Sequence, residues 1–178
     1  MSTAYATPGD FVDDQPYAPS TPVVAPAAED LIEGVSVTPL VFHPDKRGRL
    51  VELLTTSDGD IEPIVHVYQV IAAPRSVRAW VYHKRQSDRL VFTQGKFRIV
   101  LFDIRPGSPT LHRLNVFEFG EACPSRLVIP PFVAHGVQNL GQEACSFVNH
   151  PTRAFDPAWP DKSRLPKDHP GIPYRFEE

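Results

Sequence analysis

The sequence predicts an all-β fold, an antiparallel double-sheet jelly roll. Three observations carry that prediction. Short runs rich in β-branched and aromatic residues recur from Val35 onward, each closed by Gly, Pro, Asp or Asn. Twenty prolines in 178 residues, against a single Met, leave no room for long helices. No segment sustains a helical period. Many short antiparallel strands must hide their edges, and a jelly roll does so by closing two sheets on each other.

Residues 1–34 carry Pro8, Pro16, Pro19, Pro22 and Pro26 among Ala, Ser, Thr and Asp. They read as a flexible or extended arm, which an oligomer could lay along a neighbour. Residues 35–178 read as one domain. "VSVTPLVF" is a strand pair broken at Pro39, "HPDKRGR" a turn, and "LVELL" the next strand. "IVHVYQVIAA", "VRAWVYH", "RLVFTQ" and "KFRIVLFDI" follow, the last two joined by a tight turn at Gly95. "HRLNVFEF", "SRLVIP", "AHGVQNL" and "CSFVNH" complete the set. After Pro151 the pattern gives way to an irregular, proline-dense tail that wraps the barrel, with one helical turn near 157–163.

The net charge of -3 and pI near 6.2 provide no global basic field, which excludes nucleic acid and anionic membrane as partners. Anion binding has to come from local Arg and His clusters. No apolar run approaches the roughly 18 residues of a membrane span. The N-terminus lacks the basic and apolar regions of a signal peptide. Cys123 and Cys145 read as reduced thiols, so a cytoplasmic location is expected.

Two stretches stand out as a site. "RAWVYHKRQSDRLVFTQG" (78–95) and "LVIPPFVAHGVQN" (127–139) can face each other at a barrel mouth. They partly match the two motifs of metal-binding cupin barrels. His83, Asp88 and Gly95 fall on the first motif; Pro130, His135 and Asn139 fall on the second, with Phe132 in a Gly place. Two imidazoles and one carboxylate form a physically allowed Fe(II)-type set. The first His of the motif, however, is Val81. His83 then reads as a polar strand residue and Asp88 as a turn residue beside Arg85 and Arg89. No metal or other cofactor is expected, and the His83/Asp88/His135 set stands as the alternative.

A broader pattern runs through "DKRGRLVE" (45–52), "VRAWVYH" (77–83), "RLVFTQG" (89–95), "VLFDIRPGSPT" (100–110), "IPPFVAHGVQNL" (129–140) and "DHPGIPY" (168–174). In this order they resemble the dTDP-4-dehydrorhamnose 3,5-epimerase family of cupin barrels, over roughly residues 36–175. The resemblance implies a homodimer acting on a nucleotide-diphosphate 4-keto-6-deoxy sugar. In the family a histidine removes the proton beside the ketone, a tyrosine returns one, and cationic groups steady the enolate and the diphosphate.

Carried over by position, the resemblance implies substrate-binding roles for Arg47, Glu52, Arg78 and His135. It adds Arg89 if one residue is deleted before Gly95; without that gap Asp88 takes the place. The base position holds Val81 and the acid position Phe155, and neither side chain can carry a proton. A C-terminal Asp behind the base has no counterpart. His83 shares the parity of Val81, so it faces the same side and can act as a shifted base. Tyr68, on a neighbouring strand, is the candidate proton donor. The resulting expectation is an epimerase- or isomerase-like cupin in deoxysugar or polysaccharide biosynthesis, with His83 and Tyr68 as catalytic residues. The alternatives are an inactive sugar-nucleotide-binding homologue and a metal cupin.

Overall fold

The structure, a computed structural model, describes residues 27–55 and 64–177. After a 3-10 turn at Ala28–Asp30 come β1 (Ser36–Pro39), β2 (Phe42–Asp45), β3 (Gly48–Val51), β4 (Tyr68–Ala72), β5 (Val77–His83) and β6 (Asp88–Phe92). Then follow β7 (Lys96–Asp103), β8 (Leu114–Gly120), β9 (Ser125–Ile129), β10 (Val133–Asn139), β11 (Cys145–Asn149) and β12 (Lys162–Arg164). One sheet has the order β1-β9-β6-β11-β4 and the other β12-β5-β10-β7-β8; β2 and β3 form a separate ribbon. All of these pairings are antiparallel. This is the predicted jelly roll.

The alternation of side chains fills the space between the sheets. Leu90 and Phe92 of β6, Leu127 and Ile129 of β9, and Phe147 of β11 meet Phe97, Ile99 and Leu101 of β7 in one buried cluster. Leu31, Ile32 and Val35 join it. The folded part therefore starts before residue 35, inside the last residues of the expected 1–34 arm. Residues 1–26 of that arm lie outside the described residues.

The "DIRPGSPT" motif explains how residues 29–33 are held. Asp103 is fully buried and accepts hydrogen bonds from Arg105 Nε (2.8 Å), Ser108 Oγ (2.7 Å) and Thr110 Oγ1 (2.7 Å). Burial pushes its pKa up, but these donors and the Arg105 backbone N–H outweigh it and hold the carboxyl well below the usual range. Arg105 then donates to the Glu33 carbonyl, and Arg113 donates to the carbonyls of Glu29 and Leu31. The most recognisable motif of the chain is thus a structural clamp.

The tail departs from expectation. Instead of a helical turn near 157–163, residues 162–164 form β12, which pairs with His83, Tyr82 and Val81 of β5. Beyond it, Ile172, Tyr174 and Phe176 cover the outer face of the second sheet over Trp80, Val100 and Ala134. Trp80 is sealed in this layer, and its indole N–H donates to the Lys167 carbonyl (3.1 Å). Trp80 also exchanges both backbone hydrogen bonds with Leu165 (3.1 Å each). The outer face of β5 is apolar, so the tail is a second layer of core.

His150 is buried. Its Nδ1–H donates to the Arg89 carbonyl (2.7 Å), which leaves Nε2 buried without a partner. Burial first, then the charges of Arg89 and Arg126, pull its pKa down to about 4. An unfolded chain takes up this proton near pH 6.5, so stability is full above that pH and is lost as pH falls toward about 4. A His150→Asn variant, which keeps a donor for Arg89, should flatten the melting-temperature profile across that window. The expected acid-linked difference is on the order of 1–3 kcal/mol, and parallel profiles for the two proteins would refute it.

Candidate functional site

His83 closes β5 and His135 lies on β10 beside it; Val81 and His135 are direct cross-strand partners. Cross-strand partners share a face, and His135 also pairs with the core residue Leu101. Val81, His83 and His135 therefore face inward. From the opposite sheet, Asp88 of β6 points inward on the face of Leu90 and Phe92. It is buried, not a turn residue as the sequence suggests. Its Oδ2 lies 3.3 Å from His83 Nε2 and 3.3 Å from His135 Nε2. The two imidazoles stack at 6.1 Å. Burial raises the Asp88 pKa, but the hydrogen bonds and charges of His135 and His83 hold the carboxyl far below the usual range.

The other oxygen of Asp88 is satisfied separately. Oδ1 accepts from Gln86 Nε2 (2.8 Å) and Asn149 Nδ2 (3.0 Å). The orientation of Asn149 is fixed because its Oδ1 accepts the backbone N–H of Arg89 (3.1 Å). Its Nδ2 also donates to the Tyr68 hydroxyl oxygen (2.8 Å). Tyr68 is an acceptor in this bond, so its own O–H hydrogen is free for the cleft. Burial, then the charge of Asp88, pushes the phenol pKa up and keeps it protonated. A hydrogen-bonded line thus runs from His83 through Asp88 and Asn149 to Tyr68.

Tyr68 and His83 line the same open cleft of about 800 Å³. A second carboxylate stands behind His83, where the sequence offers no counterpart for a base-orienting Asp. Asp161 Oδ2 lies 3.9 Å from His83 Nδ1 and accepts the backbone N–H groups of Arg85 (3.1 Å) and Gln86 (2.9 Å). It pins the turn between β5 and β6 and so aims His83. Arg85, Arg153 and Lys162 supply positive charge to the cleft wall, and His66, Phe155 and Trp159 supply rings. Phe132, in the Gly place of the second motif, adopts a left-handed φ of 59° and stacks on Tyr82 at 5.5 Å. Its N–H donates to the His83 carbonyl (2.8 Å), so this strained residue braces the end of β5.

The substrate-binding positions implied by resemblance do not converge here. Arg47 sits on the β2–β3 turn, bound to Asp45 (2.5 Å), and Glu52 follows β3 beside a smaller hollow with Thr38 and His43. Both belong to the ribbon that pairs with neither sheet. Arg78, opposite Val137, is exposed and does not line the cleft, although its charge acts on Tyr68. Arg89 alternates with Asp88, points away from it, and donates to the His150 carbonyl (2.7 Å). His135 is buried behind His83 and does not line the cleft. Sequence reasoning missed Gln86, Asn149, Asp161 and the cationic wall. Only Asn149 left a signal, as a polar residue on the inward parity of Phe147.

A two-sheet barrel with a His/Asp/Tyr-lined cleft between its layers is the architecture of a small-molecule cupin. Residues 29–173 match the family model for dTDP-4-dehydrorhamnose 3,5-epimerase, and the chain belongs to that family. It is 32% identical over 146 residues to the spore coat polysaccharide biosynthesis protein SpsL of Bacillus subtilis, covering 82% of this chain and 97% of that one. It is 34% identical over 140 residues to the probable low-salt glycan biosynthesis epimerase of Haloferax volcanii, covering 77% and 89%. Among solved structures, a dTDP sugar isomerase from Desulfovibrio desulfuricans superposes with a TM-score of 0.76 at 26% identity, over 82% of this chain and 92% of that one.

Proposed function

We propose that this chain binds a nucleotide-diphosphate 4-keto-6-deoxyhexose in the cleft and exchanges a proton at a carbon beside the ketone. One observation carries this reading: His83 and Tyr68 line one cleft and are joined through Asp88 and Asn149. With Val81 unable to act, His83 is the base. Its ring stands between two carboxylates, Asp88 at Nε2 and Asp161 beyond Nδ1, which hold it in place. Tyr68 replaces the hydroxyl that Phe155 lacks and returns the proton. Arg85, Arg153 and Lys162 are the groups suited to the diphosphate, with Arg78 at longer range. The names of the two curated relatives support a place in polysaccharide or glycan biosynthesis, and the two free cysteines are in keeping with a cytoplasmic location. Among the described residues no helix is long and apolar enough to cross a membrane.

A homodimer completes the proposal. The edge strand β4 and the segment before it expose Ile64, Val65, Val67 and Ile71, each at least half accessible, which gives a second copy an apolar surface.

Incubation with dTDP-4-keto-6-deoxyglucose in D₂O tests the chemistry. Deuterium at C3 or C5 is expected, and its absence would sink the proton-exchange reading. Tyr68→Phe should lower uptake about 10²-fold or more. The lost hydrogen bond from Asn149 should cost only about 1 kcal/mol of stability. Unchanged uptake would remove Tyr68 from the mechanism. Val81 and Phe155 also favour a second reading, an inactive binder; it predicts no exchange but a raised melting temperature with the nucleotide sugar.

A further inference from the structure

We infer that His83, Asp88 and His135 form a site for a divalent transition-metal ion, and that its occupancy switches off proton transfer at His83. The second half rests on the proposed function; the first does not. The three donor atoms lie within 4.8 Å of one another, and all three side chains are buried or nearly so. An ion about 2.1 Å from each donor holds neighbouring donors about 3 Å apart. The 3.3 Å separations of Asp88 Oδ2 from both Nε2 atoms are close to that spacing.

Hydrogen bonding around the cluster points the same way. His135 Nδ1 lies 3.2 Å from the Val133 carbonyl, which can only accept, so Nδ1 carries a hydrogen. In a neutral ring the Nε2 lone pair then faces the Asp88 carboxylate, and only a positive charge between them relieves that contact. A metal ion held between Nε2 and Oδ2 supplies it. Gln86 and Asn149 occupy Asp88 Oδ1 and leave Oδ2 for the ion. Asp161 stands behind His83 Nδ1, where a carboxylate commonly takes the second N–H of a ligating histidine. Neutral imidazole nitrogens and a carboxylate suit Zn²⁺, Co²⁺, Ni²⁺ or Fe²⁺.

The exclusion follows from the single lone pair of a neutral imidazole. As a base, His83 needs that lone pair to accept a proton. As a ligand, it gives the Nε2 lone pair to the ion and carries its hydrogen on Nδ1, which faces Asp161. A neutral ring has one such lone pair, so a metal-bound His83 has none left for a sugar C–H.

The test uses the full chain stripped with chelator. Titration with Co²⁺, followed by visible absorption and calorimetry, should give one ion per chain. His83→Asn and His135→Asn should each weaken binding by more than the roughly 10- to 100-fold typical of outer-shell changes. Because His135 is buried, near-ultraviolet circular dichroism must show both variants folded; wild-type X-ray absorption should independently report two imidazoles and one carboxylate. Stoichiometric Zn²⁺ should suppress deuterium uptake, and chelator should restore it. Binding no stronger in the wild type than in His83→Asn overturns the site. Exchange that requires the ion overturns the exclusion. Exchange without binding removes this inference and leaves the proposed function; binding without exchange in either form does the reverse.

Discussion

His83→Asn lowers deuterium uptake from solvent by about 10²- to 10⁴-fold, the contribution of one positioned acid–base group. The residue is the only imidazole, among the described residues, that both lines the cleft and contacts Asp88. The fold should tolerate the change, because β5 is held at this point by the backbone pairing of His83 with Lys162 and by the Phe132 N–H. Asp88 keeps its bonds to Gln86, Asn149 and His135. The discriminating measurement is uptake at matched ligand saturation, with melting temperature read in parallel. A variant that exchanges at the wild-type rate would show that the base lies elsewhere. One that loses exchange only by unfolding would leave His83 with a structural role.

Trp80→Ala should destabilise the protein by about 3–5 kcal/mol, the usual cost of emptying a large aromatic site. Trp80 touches Phe176 at 5.1 Å and Tyr174 at 6.4 Å, and its indole N–H bonds the Lys167 carbonyl. Truncation therefore removes the anvil on which the tail is folded. The lost volume cannot be refilled from Gly136, whose missing side chain already admits Ala79 and Phe176 at close range. In a chain this size the melting temperature should fall by roughly 10 °C. Urea titration should show the same loss, and a shift below about 1 kcal/mol would mean that the tail is not part of the core. Exchange should weaken as well, because β12 and Asp161 are tied to the same strand as His83.

The fold was legible because strand periodicity is local: each inward residue of β6, Leu90 and Phe92 among them, advertises its face within its own run. The tail was not, because the alternation of Ile172, Tyr174 and Phe176 is brief and set in a proline-dense stretch, and their burial comes from distant residues such as Trp80, Val100 and Ala134. The site was half legible. His83 and Tyr68 came from strand parity and position, and both line the cleft. Asp88 could not be read correctly from its neighbours, since flanking Arg85 and Arg89 make any Asp look like a surface turn. Its role exists only when β6 is laid opposite β5 and β10. Arg89 and His135 matched by residue type, but a one-residue alternation and a neighbouring ring put them out of the cleft. Asp161 lies in a proline-rich stretch where no pattern singles out one carboxylate.

The proposed working groups are divided between the two layers of the barrel. Tyr68, Asp88 and Asn149 stand on one sheet; His83 and His135 stand on the other. The gap between the proposed acid and the proposed base is therefore not set by any residue of the cleft. Phe92, Phe97, Leu101 and Phe147, stacked between the layers, act as its calipers. A conservative swap in that stack, harmless by the measure of folding, would widen or narrow the jaws and surface first as altered turnover. In this barrel the oil between the sheets is part of the instrument's calibration.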